Sequence, residues 1–327
     1  MNSISNIKHL KIDLYSLKSY KDLEKTYNSF NNNLKKYFQK NKPIKKFFDF
    51  INCPICNSKK KKFIFKIDNF QYDECLNCSL IYNNPILKDK LYKDLYKVGT
   101  YKEYVKNLTE KGDKIRANYT EARKFKQINS LFKKKNLKML DIGCGTGTLM
   151  SIFNKNKWTT LGIEPSEYSS KIAKRKNLDV KNIFFENYSE VTKFDVITLF
   201  GVLEHVTDPI RIIKKASKHI KKGGFLVFEI PSADSFIMKY IKSGLKINKL
   251  FRFIETSRHL TFFSIKSIEF ICTKFNYDIK YFETNGLDLQ TIINEEKNSN
   301  ADFILNFQHI LNNMNLADHY RFFLKKN

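Results

Sequence analysis

The sequence contains no run of about 18 apolar residues, the length that a helix needs to cross a bilayer. Its first residues, MNSISNIKHLKID, are polar and do not include the apolar stretch of a signal peptide. These two absences predict a cytoplasmic protein without a membrane span, in which cysteines stay reduced. With 327 residues, 42% of them hydrophobic, the chain is long enough for a complete α/β domain and smaller attached units.

Arginine is also scarce, because only seven of the 59 basic residues are arginines and the rest are lysines. The net charge of +26 by itself suggests nucleic acid or another polyanion as a partner. Arginine, however, is the side chain best suited to bind phosphates and bases. A solvated, lysine-rich surface is therefore the favoured interpretation, and salt-dependent binding to nucleic acid is the alternative.

Cysteine is infrequent, and four of the six cysteines form two pairs, CPIC at 53–56 and CLNC at 75–78. Two knuckles at this separation are typical of a zinc site, since each places two thiolates about one turn apart. Four thiolates complete a tetrahedron, so the predicted ion is structural, and a disulfide fits a cytoplasmic chain poorly. The predicted ligands are Cys53, Cys56, Cys75 and Cys78.

Short-range signals accompany the two knuckles. Asn57 follows the first knuckle, and asparagine tolerates the left-handed backbone that such a turn needs. Ser79 follows the second knuckle in the same place. The lysines at 59–62 are expected on the hairpin of the ribbon, either as a solvated turn or as a contact to phosphate. Cys144 and Cys272 stand outside the knuckles. We expect Cys144 to be a small loop residue and Cys272 to lie in the core-facing side of a helix.

The chain divides into four predicted parts. Residues 1–47 show patchy helical periodicity, which we expect the asparagines at 31–33 to interrupt. Residues 48–87 form the zinc ribbon, and 88–136 form a charged helical connector. In residues 137–327 strands alternate with helices, the pattern of a parallel sheet covered on both faces.

Seven strands are predicted in the last part, at 138–142, 159–163, 181–185, 195–200, 225–230, 277–283 and 319–323. The helix after the fourth strand has clear boundary signals: Asp208 as N-cap, Pro209 at its first position and Gly223-Gly224 beyond its end. Ser166 and Ser264 precede two further predicted helices. A polar helical insert is expected between the last two strands.

The first of these strands leads into a glycine-rich turn, LDIGCGTG at 140–147. The spacing is G-x-G-x-G, whereas the dinucleotide-binding fingerprint is G-x-G-x-x-G. The carboxylate of Asp141 at the strand end would repel a pyrophosphate but suits a positive ammonium group. Glu164 stands at the end of the second strand, where an acid can accept hydrogen bonds from ribose hydroxyls. A ligand with an ammonium group and a ribose fits this pattern, and S-adenosylmethionine is such a ligand.

Four segments, in order and spacing, resemble class I S-adenosylmethionine-dependent methyltransferases: LDIGCGTG, GIEPS at 162–166, FDVITLFGVLEHVTDP at 194–209 and LVFEIPS at 226–232. The resemblance covers about residues 120–327. It implies an α/β fold, a Rossmann-like seven-stranded sheet in the order 3-2-1-4-5-7-6 with the seventh strand antiparallel. The small zinc ribbon and the helical extension precede this sheet.

The resemblance also implies which residues hold S-adenosylmethionine. The methionine end is assigned to the loop after the first strand, and the ribose and adenine to the end of the second strand. The sulfonium is assigned to the end of the fourth strand. The predicted contacts are Asp141, Gly143, Cys144, Gly145, Thr146, Gly147, Glu164, Pro165, Phe200, Gly201 and Val202. The acid beside the adenine is left open among Glu186, Asn187 and Glu190.

Methyl transfer from a sulfonium is an in-line displacement, and a hydroxyl acceptor must also lose a proton. His205 follows the fourth strand, and His259 lies in the loop RHLTFFS. Either imidazole is a candidate base, and for each a purely structural role is the alternative. Glu204 is a candidate to orient His205, to bind a metal or to stabilise the turn.

A four-Cys ribbon before such a core is similar to two groups of enzymes. One acts on nucleotide sugars and cell-surface glycans, and the other on ribosomal RNA. The segments CLNCSLIYNNP at 75–85 and RHLTFFS at 258–264 look more like the first group. Sugar C-methyltransferases of that group have Glu-His where this chain has Arg258-His259, which argues against their proton-abstraction chemistry.

The resulting expectation is O-methylation of a small-molecule acceptor, a sugar or glycan precursor. An RNA methyltransferase that grips RNA with its ribbon and lysines is the first alternative. A non-enzymatic scaffold is the second. The sequence leaves the oligomeric state open.

Overall fold

The computed structural model describes residues 20–95, 116–244, 251–255, 258–286 and 301–327. The single residues Lys102, Val105, Lys106, Lys114 and Leu289 are also described. The start of the predicted helical extension and much of the predicted connector lie outside the described residues.

The described strands are numbered in chain order. They are β1 (Phe38–Gln39), β2 (Lys42–Pro43), β3 (Phe48–Asp49), β4 (Lys61–Ile67), β5 (Phe70–Cys75), β6 (Ile81–Asn83), β7 (Ile86–Leu87), β8 (Lys138–Ile142), β9 (Thr159–Ile163), β10 (Val180–Lys181), β11 (Phe194–Phe200), β12 (Ile220–Pro231), β13 (Thr261–Phe262), β14 (Tyr277–Asn285) and β15 (His319–Lys326).

The described α-helices are numbered in the same way. They are α1 (Tyr20–Leu34), α2 (Asp89–Asp94), α3 (Ala122–Asn129), α4 (Thr148–Lys155), α5 (Glu167–Arg175), α6 (Pro209–His219), α7 (Phe236–Lys242), α8 (Phe251–Ile254), α9 (Ile265–Phe275) and α10 (Ala301–Asn313). A π-helical turn at Arg116–Glu121 leads into α3, and a 3-10 turn at Leu203–His205 follows β11.

A seven-stranded sheet forms the centre of the fold, in the order β10-β9-β8-β11-β12-β15-β14. The strands from β10 to β12 are parallel, whereas β15 runs antiparallel to both of its neighbours. After β8 the chain adds β9 and β10 on one side of it, and β11 and the later strands are added on the other side. The carboxyl ends of β8 and β11 therefore flank a topological switch point, the usual place for a ligand in such sheets.

β8 and β9 have their predicted bounds, whereas the other five strands of this sheet differ in length, and β10 and β12 show how. β10 has only two residues, and directly after it the side-chain amide of Asn182 donates to the carbonyls of Glu164 and Pro165. β12 begins at Ile220 and continues through both glycines beyond α6, beside a register shift in β11. A Cβ at Gly224 would lie 2.8 Å from the carbonyl oxygen of Asp195, so only glycine fits at this irregularity.

The predicted helix starts are confirmed by side-chain caps. Asp208 accepts from the backbone N–H of Arg211 at 2.9 Å, with Pro209 at the first helical position. Ser166 and Ser264 each accept from the N–H three residues ahead. These short polar side chains satisfy N–H groups that have no partner inside the helix.

The prediction for the asparagines at 31–33 is wrong. α1 continues through them to Leu34, because Phe30 and Leu34 are buried on one face. Asparagine costs less than about 1 kcal/mol per helical position, and the burial of two large apolar side chains exceeds that cost.

The ribbon, residues 48–87, contributes to a second, four-stranded sheet in the order β13-β6-β5-β4. Its lysines at 61 and 62 begin β4 rather than lie on the turn, which is at Asp68-Asn69. They pair with the β5 residues Asp73 and Glu74 at 2.9 and 3.0 Å. The fourth strand, β13, comes from the predicted methyltransferase part of the chain.

One hydrophobic cluster joins the ribbon to the large sheet. It contains Cys53, Ile55 and Leu80 together with residues of the central strands such as Ile142 and Leu199. Within the part of the chain that the structure describes, we find no helix that combines the length and the apolar character of a membrane span.

Candidate functional site

A cavity of about 310 Å³ opens at the carboxyl ends of β8, β9 and β11, within the usual size range of small-molecule sites. Several of the predicted site residues line it, namely Gly143, Gly145, Glu164, Pro165, Phe200, Gly201, Val202 and His205. The remaining lining comes partly from α2, which the sequence prediction did not connect with the site, and partly from residues beside predicted ones, such as Glu186, which was left open for the adenine contact. These residues include Asp89, Tyr92, Lys93, Phe184, Phe185, Glu186 and Arg258.

Two glycines of the loop after β8 have different roles. Gly145 has φ +54°, and a Cβ built on it would meet no atom within 4 Å, so its backbone is accessible from the cavity that it lines. A Cβ at Gly147 would lie 2.2 Å from Leu178 Cδ1, and φ is +74°. Gly145 thus permits close approach of a ligand, and Gly147 permits close packing of the loop.

Glu164 ends β9 with both carboxylate oxygens held by backbone N–H groups. Oε1 accepts from Ser166 at 2.7 Å, and Oε2 accepts from Gly145 at 2.9 Å. The side chain is buried at the cavity wall, and this burial raises the pKa of Glu164 to about 7. Each oxygen keeps a lone pair for a further donor, so the carboxylate can receive hydroxyl groups of a ligand.

Asp141 is buried and is not part of the cavity lining. Its Oδ1 accepts from the Thr198 hydroxyl at 2.7 Å, and burial raises the pKa of Asp141 to about 7. Cys144, Thr146 and Gly147 also lie outside the lining. Their assignment to the cofactor stays a prediction.

The wall beside β10 combines apolar and acidic groups. Pro165, Phe184 and Glu186 line it, whereas Asn187 and Glu190 do not. Glu186 forms an ion pair with Lys93 of α2 at 2.7 Å, and Glu190 pairs with Lys181 outside the cavity. Of the three candidates left open for the adenine contact, only Glu186 lines the cavity, and its role stays a prediction. Because α2 precedes the glycine loop by a long stretch of chain, no signal in the sequence connected it with this wall.

The cavity also borders a pair of imidazoles, of which His205 is half-buried and His259 is buried. His205 lines the cavity, and the centroid of its ring lies 5.1 Å from that of His259 behind it. His205 Nδ1 is 2.8 Å from the carbonyl oxygen of Arg258, and His259 Nδ1 is 2.8 Å from that of Phe253. A carbonyl oxygen only accepts, so both Nδ1 atoms carry the proton and both Nε2 atoms carry a lone pair.

Burial controls the charge of this cluster. It lowers the pKa of His205 to about 3, with further contributions from His259 and Arg258, and lowers that of His259 to about 4. It raises the pKa of Glu204 to about 8. Both imidazoles are therefore neutral at neutral pH, the state in which they can accept a proton.

The same three side chains also form a possible metal-binding group. Glu204, His205 and His259 each offer one ligand atom, and these atoms all lie within 4.8 Å of one another. Glu204 Oε1 is 3.8 Å from His205 Nε2, and Glu204 Oε2 is buried without a hydrogen-bond partner in the described structure. One carboxylate and two imidazole nitrogens are a donor set that divalent transition metals accept.

The four predicted zinc ligands converge within the ribbon. Their sulfur atoms lie within 4.8 Å of one another, with 3.5 Å between Cys53 and Cys78 and 3.4 Å between Cys56 and Cys75. A tetrahedral zinc ion with Zn–S distances of about 2.3 Å requires sulfur separations of about 3.8 Å, so the set fits zinc.

The backbone after each knuckle has the left-handed conformation that the sequence predicted. The residues after the two knuckles, Asn57 and Ser79, have φ of 60° and 57°. All six cysteines are free thiols, and Cys272 is buried in α9.

Comparison with protein families matches the description "Methyltransferase domain" to residues 115–281, just over half of the chain. The chain belongs to this family. The matched methyltransferase domain contains Gly145, Glu164, His205 and His259, whereas the ribbon and α2 precede it. The four clustered cysteines and the Lys93 contact therefore lie outside the matched methyltransferase domain.

Curated relatives of the methyltransferase domain include ubiquinone biosynthesis O-methyltransferases. That of Pelagibacter ubique (strain HTCC1062) is 34% identical over 128 residues, which cover 34% of this chain and 53% of that protein. That of Actinobacillus pleuropneumoniae serotype 5b (strain L20) is 36% identical over 114 residues, which cover 31% and 47%. The chain spans about half the length of the curated relatives that it matches.

Solved structures similar to this chain show low sequence identity. The plantazolicin methyltransferase BpumL in complex with SAH is 17% identical with a TM-score of 0.48, covering 73% of this chain and 95% of that chain. A possible histamine N-methyltransferase from Thermotoga maritima is 17% identical with a TM-score of 0.46, covering 73% and 99%.

Proposed function

We propose that the chain is an S-adenosylmethionine-dependent methyltransferase that methylates a hydroxyl group of a small molecule. The observation that carries the proposal is the Glu164 carboxylate, held at the cavity wall by the N–H of Gly145 at the switch point of the sheet. An acid in this place is positioned to accept hydrogen bonds from ribose hydroxyls, and the accessible glycine beside it admits a ligand to the backbone.

The other lining residues suit the remaining parts of the cofactor. Pro165 and Phe184 offer apolar surface for an adenine, and Glu186 offers an acceptor for its amino group. Phe200, Gly201 and Val202 would surround the sulfonium, next to His205. When bound, S-adenosylmethionine supplies the electrophilic methyl group.

The chain itself must remove the proton of the acceptor hydroxyl. His205 is the imidazole that reaches the cavity, and the contact of its Nδ1 to the Arg258 carbonyl leaves the lone pair on Nε2. We assign proton acceptance to His205 and a supporting position to His259. Glu204, next to both, is the third member of the catalytic group.

The acceptor class rests on two further observations. The relatives are named O-methyltransferases, which supports a hydroxyl acceptor. The ribbon segment at 75–85 and the segment at 258–264 resemble enzymes of nucleotide sugars and glycans, which supports a sugar or glycan precursor. In this proposal the four-cysteine site holds a structural zinc ion, because no ligand position is left open for catalysis.

The cofactor assignment is tested by calorimetric titration with S-adenosylhomocysteine. We expect micromolar binding by the native chain and at least about tenfold weaker binding by Glu164→Ala, the usual cost of a buried charged hydrogen bond. Glu190→Ala is the matched control, because Glu190 pairs with Lys181 outside the cavity. Equal affinity in all three proteins would contradict the assigned pocket.

The acceptor assignment is tested by transfer of a labelled methyl group to nucleotide sugars, phenols and RNA. We expect label in a small-molecule hydroxyl, and a loss of about 10²–10⁴ in kcat for His205→Asn with unchanged cofactor affinity. Label in RNA alone would instead support the nucleic-acid alternative that the net charge of +26 suggests.

A chelator separates the two possible roles of the Glu204–His205–His259 group. Activity that persists with EDTA, in protein that retains its zinc, supports proton acceptance by an imidazole. Activity that is lost and then restored by Mg²⁺ or Mn²⁺ would overturn this assignment, and a cation bound by these three side chains would take its place.

A further inference from the structure

The segment that carries Arg258 and His259 lies between the ribbon and the large sheet and is hydrogen-bonded to both. On the ribbon side, β13 pairs antiparallel with β6, and the N–H of Asn83 donates to the carbonyl of Leu260 at 2.8 Å. On the other side, the N–H of Leu260 donates to the carbonyl of Glu204 at 2.7 Å. Residues 258–264, which contain β13, thus form an intermediate segment whose position depends on both the ribbon and the large sheet.

Two tyrosines hold the carbonyl groups of this segment. The Tyr72 hydroxyl on β5 donates to the carbonyl of His259 at 2.9 Å, and the Tyr92 hydroxyl on α2 donates to that of Arg258 at 2.5 Å. The Arg258 carbonyl also accepts from His205 Nδ1. The orientation of His205 in the cavity is therefore coupled to a backbone group that an element outside the methyltransferase domain fixes.

The cysteine site contacts the far end of the same segment. The hydroxyl of Ser264, the N-cap of α9, donates to the carbonyl of Cys78 at 2.6 Å. Tyr72 itself is fully buried, with its ring 5.9 Å from that of Phe262. The segment is consequently connected at its start, its middle and its end to the ribbon or to α2.

We propose that the ribbon positions the acceptor half of the site, and that Tyr72 is a positioning residue that acts through the backbone of His259. The proposal rests on the proposed function, in which His205 and His259 serve the acceptor. The described hydrogen bonds of the ribbon reach neither Gly145 nor Glu164. Loss of the Tyr72 hydroxyl should therefore change acceptor turnover and leave cofactor binding unchanged.

Tyr72→Phe tests this prediction because it removes a single hydroxyl. Tyr82→Phe is the matched control: Tyr82 is equally buried on the neighbouring strand, and its hydroxyl has no hydrogen-bond partner in the described structure. We expect Tyr72→Phe to lower kcat about fivefold, the factor that one lost hydrogen bond corresponds to, with unchanged affinity for S-adenosylhomocysteine. Tyr82→Phe should match the native chain in both measurements.

Nitrogen NMR spectra of the imidazoles provide a readout that does not require an acceptor, and with six histidines they are simple to assign. We expect Tyr72→Phe to shift the His259 signals and Tyr82→Phe to leave them in place. Tyr92→Phe, a second variant in case Tyr72→Phe does not fold, should shift the His205 signals. Native-like signals in both folded, zinc-loaded variants would overturn the proposal, whether or not methyl transfer has been detected. Absence of methyl transfer with shifted signals would instead refute only the proposed function.

Discussion

At the scale of single residues, the site depends on acids that burial keeps close to their protonated state. Glu164 and Asp141 both have pKa values of about 7 because burial penalises their charged forms. Hydrogen bonds from the backbone of Ser166 and Gly145 to Glu164 only partly compensate. A ligand that donates to Glu164 stabilises its charged form, so ligand binding and proton release are linked.

We predict that the affinity for S-adenosylhomocysteine falls as the pH decreases below about 7. In the free protein Glu164 is then increasingly protonated, whereas the bound state favours the carboxylate, so each binding event must release more protons. Titration in two buffers with different ionisation enthalpies measures the number of protons released. Glu164→Gln should release fewer protons, and heats that do not depend on the buffer would contradict the linkage.

A second prediction concerns the zinc ligands. Cys75→Ser should lose most of the bound zinc, since a structural site needs all four thiolates. Cys272→Ala is the control, because Cys272 is buried in α9 away from the cluster. Zinc content per chain, measured by atomic emission, should be one for the native chain and for Cys272→Ala. Full zinc content in Cys75→Ser would refute the assigned ligand set.

At the scale of elements, the antiparallel side of the large sheet contains a row of charges that are buried or half-buried. Glu229 on β12, Arg321 on β15 and Glu283 on β14 stand opposite one another in register. The guanidinium of Arg321 bonds to both carboxylates, and Gln127 and Arg123 of α3 extend the row. Burial alone would raise the pKa of Glu229, but Arg321, Lys124 and His319 hold it well below its usual range.

We expect Arg321→Leu to lower the free energy of unfolding by about 3 kcal/mol, because half-buried Glu229 would lose its ion-pair partner and buried Glu283 would keep only Arg123. Lys325→Leu is the matched change on the same strand at a half-buried position, and we expect an effect within about 0.5 kcal/mol. Urea unfolding of both variants provides the comparison. Similar losses for the two would show that the row of charges does not stabilise the sheet.

The elements also show what a sequence can predict. The caps at Asp208, Ser166 and Ser264 were predictable because each signal lies within a few residues of the helix that it begins. The course of α1 through the asparagines was not, since the burial of Phe30 depends on residues distant in the sequence. The place of Glu164 at the cavity wall was predictable from its spacing to the glycine loop, whereas that of Glu186 required the path of the chain after β10.

At the scale of the whole molecule, the ribbon and the large sheet are parts of one structure. β13 pairs with β6 although the two strands are far apart in the sequence, and no local pattern reports such a contact. One hydrophobic cluster continues from the cysteine knuckles into the central strands. The predicted boundary at residue 87 therefore separates segments of sequence that share a sheet and a core.

We predict that the ribbon and the methyltransferase core unfold together. Trp158, the single tryptophan, is buried in the core beside Phe153 and reports on that part by fluorescence. Zinc captured by a chromogenic chelator reports on the ribbon. The two signals should change at the same urea concentration, because the shared sheet and cluster couple them. Zinc release at a clearly lower concentration would show that the ribbon unfolds independently.

The pairing of the segment 258–264 with the ribbon restricts how genes of such proteins can recombine. A crossover between related genes at residue 87 would combine the β6 of one parent with the β13 of the other, and the paired residues Tyr82 and Thr261 would no longer match. Functional hybrids should therefore exchange 48–87 and 258–264 together. Variation among relatives in these two segments should then be inherited as a pair.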